Sequence, residues 1–396
     1  MIDDLIVSPQ YWAVFAVAMA AFFWGLRYTL LDFKFFIALF ISQYIAHLYV
    51  LIDQYSSLFL FALLSGLMII LGRSTVPKIL RTQTKQLTFI DYEARNYLVL
   101  CKLFIVTYFL LRFALYPQFF SEFDISARLE AQYDNRVIYI FSLVIGVPVA
   151  AVLCDWIDRR ELGRFDKFLA VLIFLGYLQS GSKGTVIFLA LAFIGLTSYM
   201  QRRVSPVYVA GGLLSVFAIA WTALKIFFPQ LNSQEIGQLI LHRIVSNTDN
   251  IEFLYVLGAQ PGDYPYAGIG ELFAPIAKRF GEQIDYPIGV WLFGSRFGDW
   301  SGFGPNSGFI IEFFGSLGYG GLLVAFFVGV AIGYCEQRRT LYRAVLLSML
   351  HLILIENQIF TTSLLAHSFF ILLARAASFL PKRPKSNNTR KILVWR

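Results

Sequence analysis

Residues 307–334 read SGFIIEFFGSLGYGGLLVAFFVGVAIGY, and Glu312 is the one charged side chain among them. A helix that crosses a bilayer needs about 20 consecutive, largely apolar residues. This stretch meets that requirement and reads as a membrane span. Working outward, the same pattern recurs at roughly 9–26, 34–53, 57–72, 97–116, 137–154, 167–180, 185–200, 207–228, 341–356 and 364–380. The sequence therefore predicts an all-α, polytopic integral membrane protein with about eleven transmembrane helices. The segments 57–72, 167–180 and 185–200 are short, and the last two suit a helical hairpin around Ser180-Gly-Ser-Lys-Gly184.

Composition agrees. Of 396 residues, 58% are hydrophobic and 15% charged, and 40 are phenylalanine. A soluble domain carries about 25% charge and about 45–50% apolar residues. Such a phenylalanine load is cheaply housed only where lipid replaces water as solvent. The net charge of +8 does not point to nucleic acid, because the basic residues form short clusters between apolar runs rather than one polar face. The N-terminus, Met1-Ile-Asp-Asp-Leu, lacks the basic start of a signal sequence, so 9–26 reads as a retained span. Cys101, Cys154 and Cys335 show no metal-ligand spacing and read as small buried hydrophobes.

Basic residues near span ends set the orientation. The tail 381–396 holds Lys382, Arg383, Lys385, Arg390, Lys391 and Arg396 without an acid, and reads as a basic cytoplasmic tail. Counting back from it, the basic clusters in 335–340, 200–206, 155–166 and 73–96 fall on the same side. The opposite side receives the acidic N-terminus, the loop 117–136, the Lys183 turn and the long segment 229–306. In that segment acids outnumber bases eight to four. The organisation expected is transmembrane helices 1–8 over 1–228, a large periplasmic loop with short amphipathic helices over 229–306, and helices 9–11 over 307–380.

Three elements carry polar residues suited to chemistry. Lys183 lies in a Gly-Ser turn, where a cation and approachable backbone N–H groups suit a phosphate; a snorkelling lysine is the plainer reading. Arg243 follows His242 at the start of the large loop, and a guanidinium forks onto phosphate bidentately. The third runs from Arg296 to Pro305-Asn-Ser-Gly-Phe-Ile-Ile-Glu312. Glu312 falls about one turn inside the span, and intramembrane carboxylates usually face a bundle interior or a water-filled cavity; a structural ion pair is the alternative. Asn306 and Ser307 stand at the helix start and suit capping as well as binding. Gly315, Gly318, Gly320 and Gly321 suit close helix packing. A further polar group, Glu356-Asn-Gln358 with Thr361 and Thr362, reads as the turn between the last two spans. No phosphate-loop motif, metal cluster or Asp-x-Asp pair is present.

Taken together, the Ser180-Gly-Ser-Lys-Gly184 turn, the Leu241-His-Arg243 helix start and Pro305-Asn-Ser-Gly…Glu312 followed by Phe314-Gly-Ser-Leu-Gly-Tyr-Gly-Gly321 resemble the bacterial O-antigen (oligosaccharide repeat unit, Wzy-type) polymerases. Lys183 stands where that family commonly has Arg. The resemblance implies a GT-C-like helical fold and a glycosyl transfer between undecaprenyl-pyrophosphate-linked glycans at the outer face of the inner membrane. It also implies a role for membrane lipids and for a polysaccharide chain-length regulator as partners, with no nucleic acid. Under it, Lys183, Arg243 and Arg296 bind pyrophosphate or carrier, Asn306 and Ser307 line the site, and Glu312, with His242 in reserve, is the base. No cofactor and no metal are required, because the cations supply charge compensation. An O-antigen ligase and a non-enzymatic lipid-linked oligosaccharide flippase are the alternatives.

Overall fold

The computed structural model describes residues 8–27, 33–76, 92–117, 135–159, 162–179, 193–199, 229–238, 308–337, 340–350 and 357–378, with Leu214, Ala218, Trp221, Lys225 and Ile251 singly. Every regular element among them is helical. In chain order these are α1 (Pro9–Leu26), α2 (Phe33–Val50), α3 (Ile52–Thr75), α4 (Tyr92–Leu115), α5 (Arg136–Val144), α6 (Gly146–Arg159) and α7 (Arg164–Gln179). Further along the chain come α8 (Phe309–Leu317), a 3-10 turn (Gly318–Gly321), α9 (Leu322–Gln337), α10 (Leu341–Leu350) and α11 (Asn357–Ser378). Among the described residues, six helical stretches are long and apolar enough to cross a membrane. The chain is thus an all-α protein with the helices of a membrane protein. Large apolar side chains face outward along these helices, as at Trp24 (81% exposed) and Val17 (70%), which is the distribution expected when lipid covers the outer face.

Local chemistry sets the helix ends. Ser8 caps α1 through its hydroxyl, with Pro9 at the first position. Asn135 caps α5, its side-chain oxygen accepting from the Val137 and Ile138 amides. The run 137–154 is broken at Ile145 into α5 and α6. Pro148 sits in the first turn of α6, where its missing N–H and its ring favour such a break.

Two sequence expectations change here. The run 307–334 is not one helix. It divides into α8 and α9 at Gly318, whose φ of 52° and ψ of −135° suit glycine alone. At nine residues α8 is about 14 Å long, too short to span, and the spanning stretch is Gly318–Gln337. The polar residues Asn357, Gln358, Thr361 and Thr362 are not a turn either. They belong to the first two turns of α11, which starts well before the apolar run at 364.

Helices α1, α2, α3, α8 and α9 form one neighbourhood, and α4, α5, α6, α7, α10 and α11 a second. The closest pairing is α3 with α9, which run parallel. Ile69 lies against Gly329, Gly72 against Phe326 and Val330, and Arg73 against Gly333. At their starts the Tyr319 hydroxyl donates to the Ser57 carbonyl at 3.2 Å. The close approach sequence analysis placed at Gly315–Gly321 is greatest instead at Gly72, Gly329 and Gly333, where a Cβ would strike the partner backbone. Helices α4 and α7 are also parallel. Lys102, about midway along α4, meets Asp166 near the start of α7, and the Gln179 amide at the end of α7 donates to the Tyr116 carbonyl just past the end of α4.

Candidate functional site

Helix α8 begins at Gly308, which takes the N-cap position without a side-chain cap. Phe309, Ile310, Ile311 and Phe313 are all buried. Phe61 of α3 holds the helix in place, its ring 6.3 Å from Phe309, 5.2 Å from Phe314 and 6.3 Å from Tyr319. The same packing carries Glu312 inward. It is 1% exposed, in the first turn of α8, with its amide donating to the Gly308 carbonyl at 3.2 Å. A carboxylate in the first helical turn is favoured by the N-terminal end of the helix dipole. Glu312 is thus withdrawn from the surface on a helix fixed by aromatic packing.

Of the remaining sequence candidates, Lys183, His242, Arg243, Arg296, Asn306 and Ser307 lie outside the described residues.

The described residues bring together polar groups that sequence reading did not single out. Lys102 of α4 bridges Asp155 of α6 at 3.1 Å and Asp166 of α7 at 2.8 Å. Arg159 pairs with the same two carboxylates, at 3.0 Å to Asp166. Two cations and two acids thus close a ring that ties three helices, with both carboxylates nearly buried. Burial raises the carboxyl of Asp166, but hydrogen bonds from Lys102 and Arg159 outweigh it and hold the group below the usual carboxylate range. A second cluster joins Lys34, Arg73 and Glu336, at 2.7 Å and 2.8 Å. Its cations also reach the end of α1, Lys34 donating to the Leu26 and Arg27 carbonyls and Arg73 to Gly25. These carbonyls would otherwise lack partners. A third polar pair is buried in the core, where the Tyr97 hydroxyl and His367 Nδ1 lie 2.7 Å apart. The signal for all three was present as charged or polar residues in or at the ends of apolar runs, but the contacts that join different helices span from seven to about three hundred positions of the chain.

Cys101, Cys154 and Cys335 are free and buried. Among the described residues no cluster of three His, Cys, Asp or Glu side chains is placed to hold a metal. An apolar groove of about 540 Å³ opens between α4, α5 and α11, lined by Leu103, Phe104, Thr107, Phe141, Phe369 and Phe370 among others. Compared with known proteins, the chain matches no family model, no curated protein and no solved structure.

Proposed function

We propose that the chain is a metal-independent glycosyltransferase that polymerises undecaprenyl-pyrophosphate-linked oligosaccharide repeat units at the periplasmic face of a bacterial inner membrane. The observation that carries this reading is the segment Pro305-Asn-Ser-Gly-Phe-Ile-Ile-Glu312, in which the Glu of the polymerase-like motif is 1% exposed on a short helix seated against α3. In this reading the fold is GT-C-like with eleven spans, and the loop 229–306 caps the site. Lys183, Arg243 and Arg296 stabilise the departing pyrophosphate, Asn306 and Ser307 orient the sugar, and Glu312 accepts the proton of the acceptor hydroxyl, with His242 as the alternative base. A polysaccharide chain-length regulator is the expected functional partner.

Deletion of the protein in its own host tests the reading through the surface-polysaccharide ladder. A polymerase deletion leaves a single repeat unit on the lipid A core. Loss of every repeat would replace the polymerase with a ligase or a flippase. An unchanged ladder would remove the chain from that pathway.

A further inference from the structure

Arg112 stands in the last turn of α4, near one end of an apolar span. A cation in that place ordinarily snorkels outward toward headgroups and water. Arg112 turns the other way. Its Nη1 donates at 3.2 Å to the hydroxyl of Tyr108, a residue one helical turn back into the span. Tyr108 is 2% exposed, and Tyr177 of α7 is 7% exposed. Between the two phenols lies Phe109, 5.0 Å from the Tyr108 ring and 5.7 Å from that of Tyr177. Gln179, fully buried, fastens the end of α7 to the Tyr116 carbonyl at the end of α4. Two turns of the α4–α7 seam therefore hold a guanidinium and two phenolic hydroxyls. Gln179 is followed directly by the Ser180-Gly-Ser-Lys-Gly184 turn.

A favourable interaction with the helix dipole does not account for this geometry. A cation serves that purpose beside the last carbonyls, whereas the Arg112 hydrogen bond runs to a phenol. Among the described residues no carboxylate pairs with it. An anion brought by the membrane itself would answer the charge. Phosphate suits the donors, because a guanidinium engages two of its oxygens in parallel and a phenol can donate to a third.

We propose that Arg112, with Tyr108 as its neighbour, binds the phosphate of a membrane lipid at the α4–α7 seam. Resting on the polymerase reading above, that lipid is the pyrophosphate-linked polyprenyl carrier, and Arg112 is a binding residue additional to Lys183, Arg243 and Arg296.

The test uses the full chain purified in detergent, with undecaprenyl pyrophosphate and phosphatidylglycerol as separate probes. Affinity and melting temperature are measured on the same preparations. Arg112→Gln removes the charge and retains a donor for Tyr108. Loss of charged hydrogen bonds should weaken undecaprenyl pyrophosphate binding about tenfold or more, with the melting temperature held. If the wild type binds only phosphatidylglycerol and Arg112→Gln weakens that, the seam site stands and the carrier reading falls. Equal affinity of wild type and Arg112→Gln for both lipids overturns the proposal. Should Arg112→Gln fail to fold, Arg112→Lys decides. It keeps the charge but not the fork, so several-fold weaker binding is expected, and wild-type affinity overturns the proposal.

Discussion

The crossing of α3 and α9 lends itself to a quantitative perturbation, because glycines from both helices touch the backbone of the other. A Cβ added at Gly329 would stand 2.8 Å from the carbonyl carbon of Ile69 and 2.9 Å from the Arg73 nitrogen, and closer still to the Ile69 carbonyl oxygen. Carbon atoms rest about 3.5–4.0 Å apart. Gly329→Ala therefore forces the helices apart by about 1 Å, since backbone cannot swing aside as a side chain can. Overpacking of this kind costs about 1–3 kcal/mol. The displacement also reaches the ion pair one turn further on. Arg73 Nε and Glu336 Oε2 are 2.8 Å apart, and an added ångström takes them to about 3.8 Å, beyond hydrogen-bond range.

Gly146→Ala is the matched control, because a Cβ there meets nothing within 4 Å. Both variants gain the helix preference of alanine over glycine, up to about 1 kcal/mol, so the difference between them isolates the clash. The assay is thermal unfolding of each variant in one detergent. Gly329→Ala should melt below the wild type, and Gly146→Ala at or above it. Equal melting temperatures for the two variants would refute the close-crossing argument.

Four further outcomes are expected. Lys102→Met leaves Asp155 and Asp166 with one cation between them and should destabilise by about 3–5 kcal/mol; adding Asp166→Asn should restore part of the melting temperature, and a stable single variant would rule out the ring as a structural tie. Asp166 precedes the apolar run 167–180 and has its pKa lowered from 3.8 in the folded chain, so its contribution is present above that value and lost as pH falls through the lower folded value; in melting curves from pH 5 downward, Asp166→Asn should flatten the acid limb, and an unaltered limb would contradict the assignment. Under the proposed function, Glu312→Gln should keep the fold and lose most turnover, because the amide cannot accept a proton; an unchanged initial polymerisation rate per folded molecule would pass the base role to His242. Reporter fusions after residues 90, 203 and 338 should read cytoplasm and those after 125 and 260 periplasm; a periplasmic signal after 203 would overturn the middle of the topology.

Hydropathy found α1 at its true limits, 9–26, because that helix is apolar throughout and bounded by Ser8 and Arg27. It misplaced the start of α11, since Asn357, Gln358, Thr361 and Thr362 are polar yet helical, and a hydropathy window measures solvent preference rather than backbone conformation. The break at Gly318 escaped for a related reason. Glycine is neutral to hydropathy, and the positive φ it permits is invisible until the backbone is seen. The burial of Glu312 was legible, as one carboxylate in a long apolar run has little choice but to face inward. The ring of Lys102, Asp155, Arg159 and Asp166 was not legible as a unit. The sequence showed a lysine inside a span and acids beyond the end of another, but it could not show that three helices bring them together.

The parallel pairs also constrain the part of the chain between them. Lys102 and Tyr116 of α4 meet Asp166 and Gln179 of α7 in the same order, so if both helices cross the membrane they do so in one direction, with an odd number of crossings between. The kinked pair α5–α6 supplies one, as required. Helices α3 and α9 are likewise parallel, from Ser57 and Tyr319 at one end to Arg73 and Glu336 at the other. An odd number of crossings must separate them. If α4, α5–α6 and α7 account for three, residues 180–307 must contribute an even number. The two apolar runs at 185–200 and 207–228 satisfy that parity. Gaining or losing a single crossing there would turn α9 against α3 and part Arg73 from Glu336. The pairing thus sets a parity and not a total: any even number of crossings between α7 and α9 keeps Arg73 on Glu336, whereas the basic residues bear on orientation.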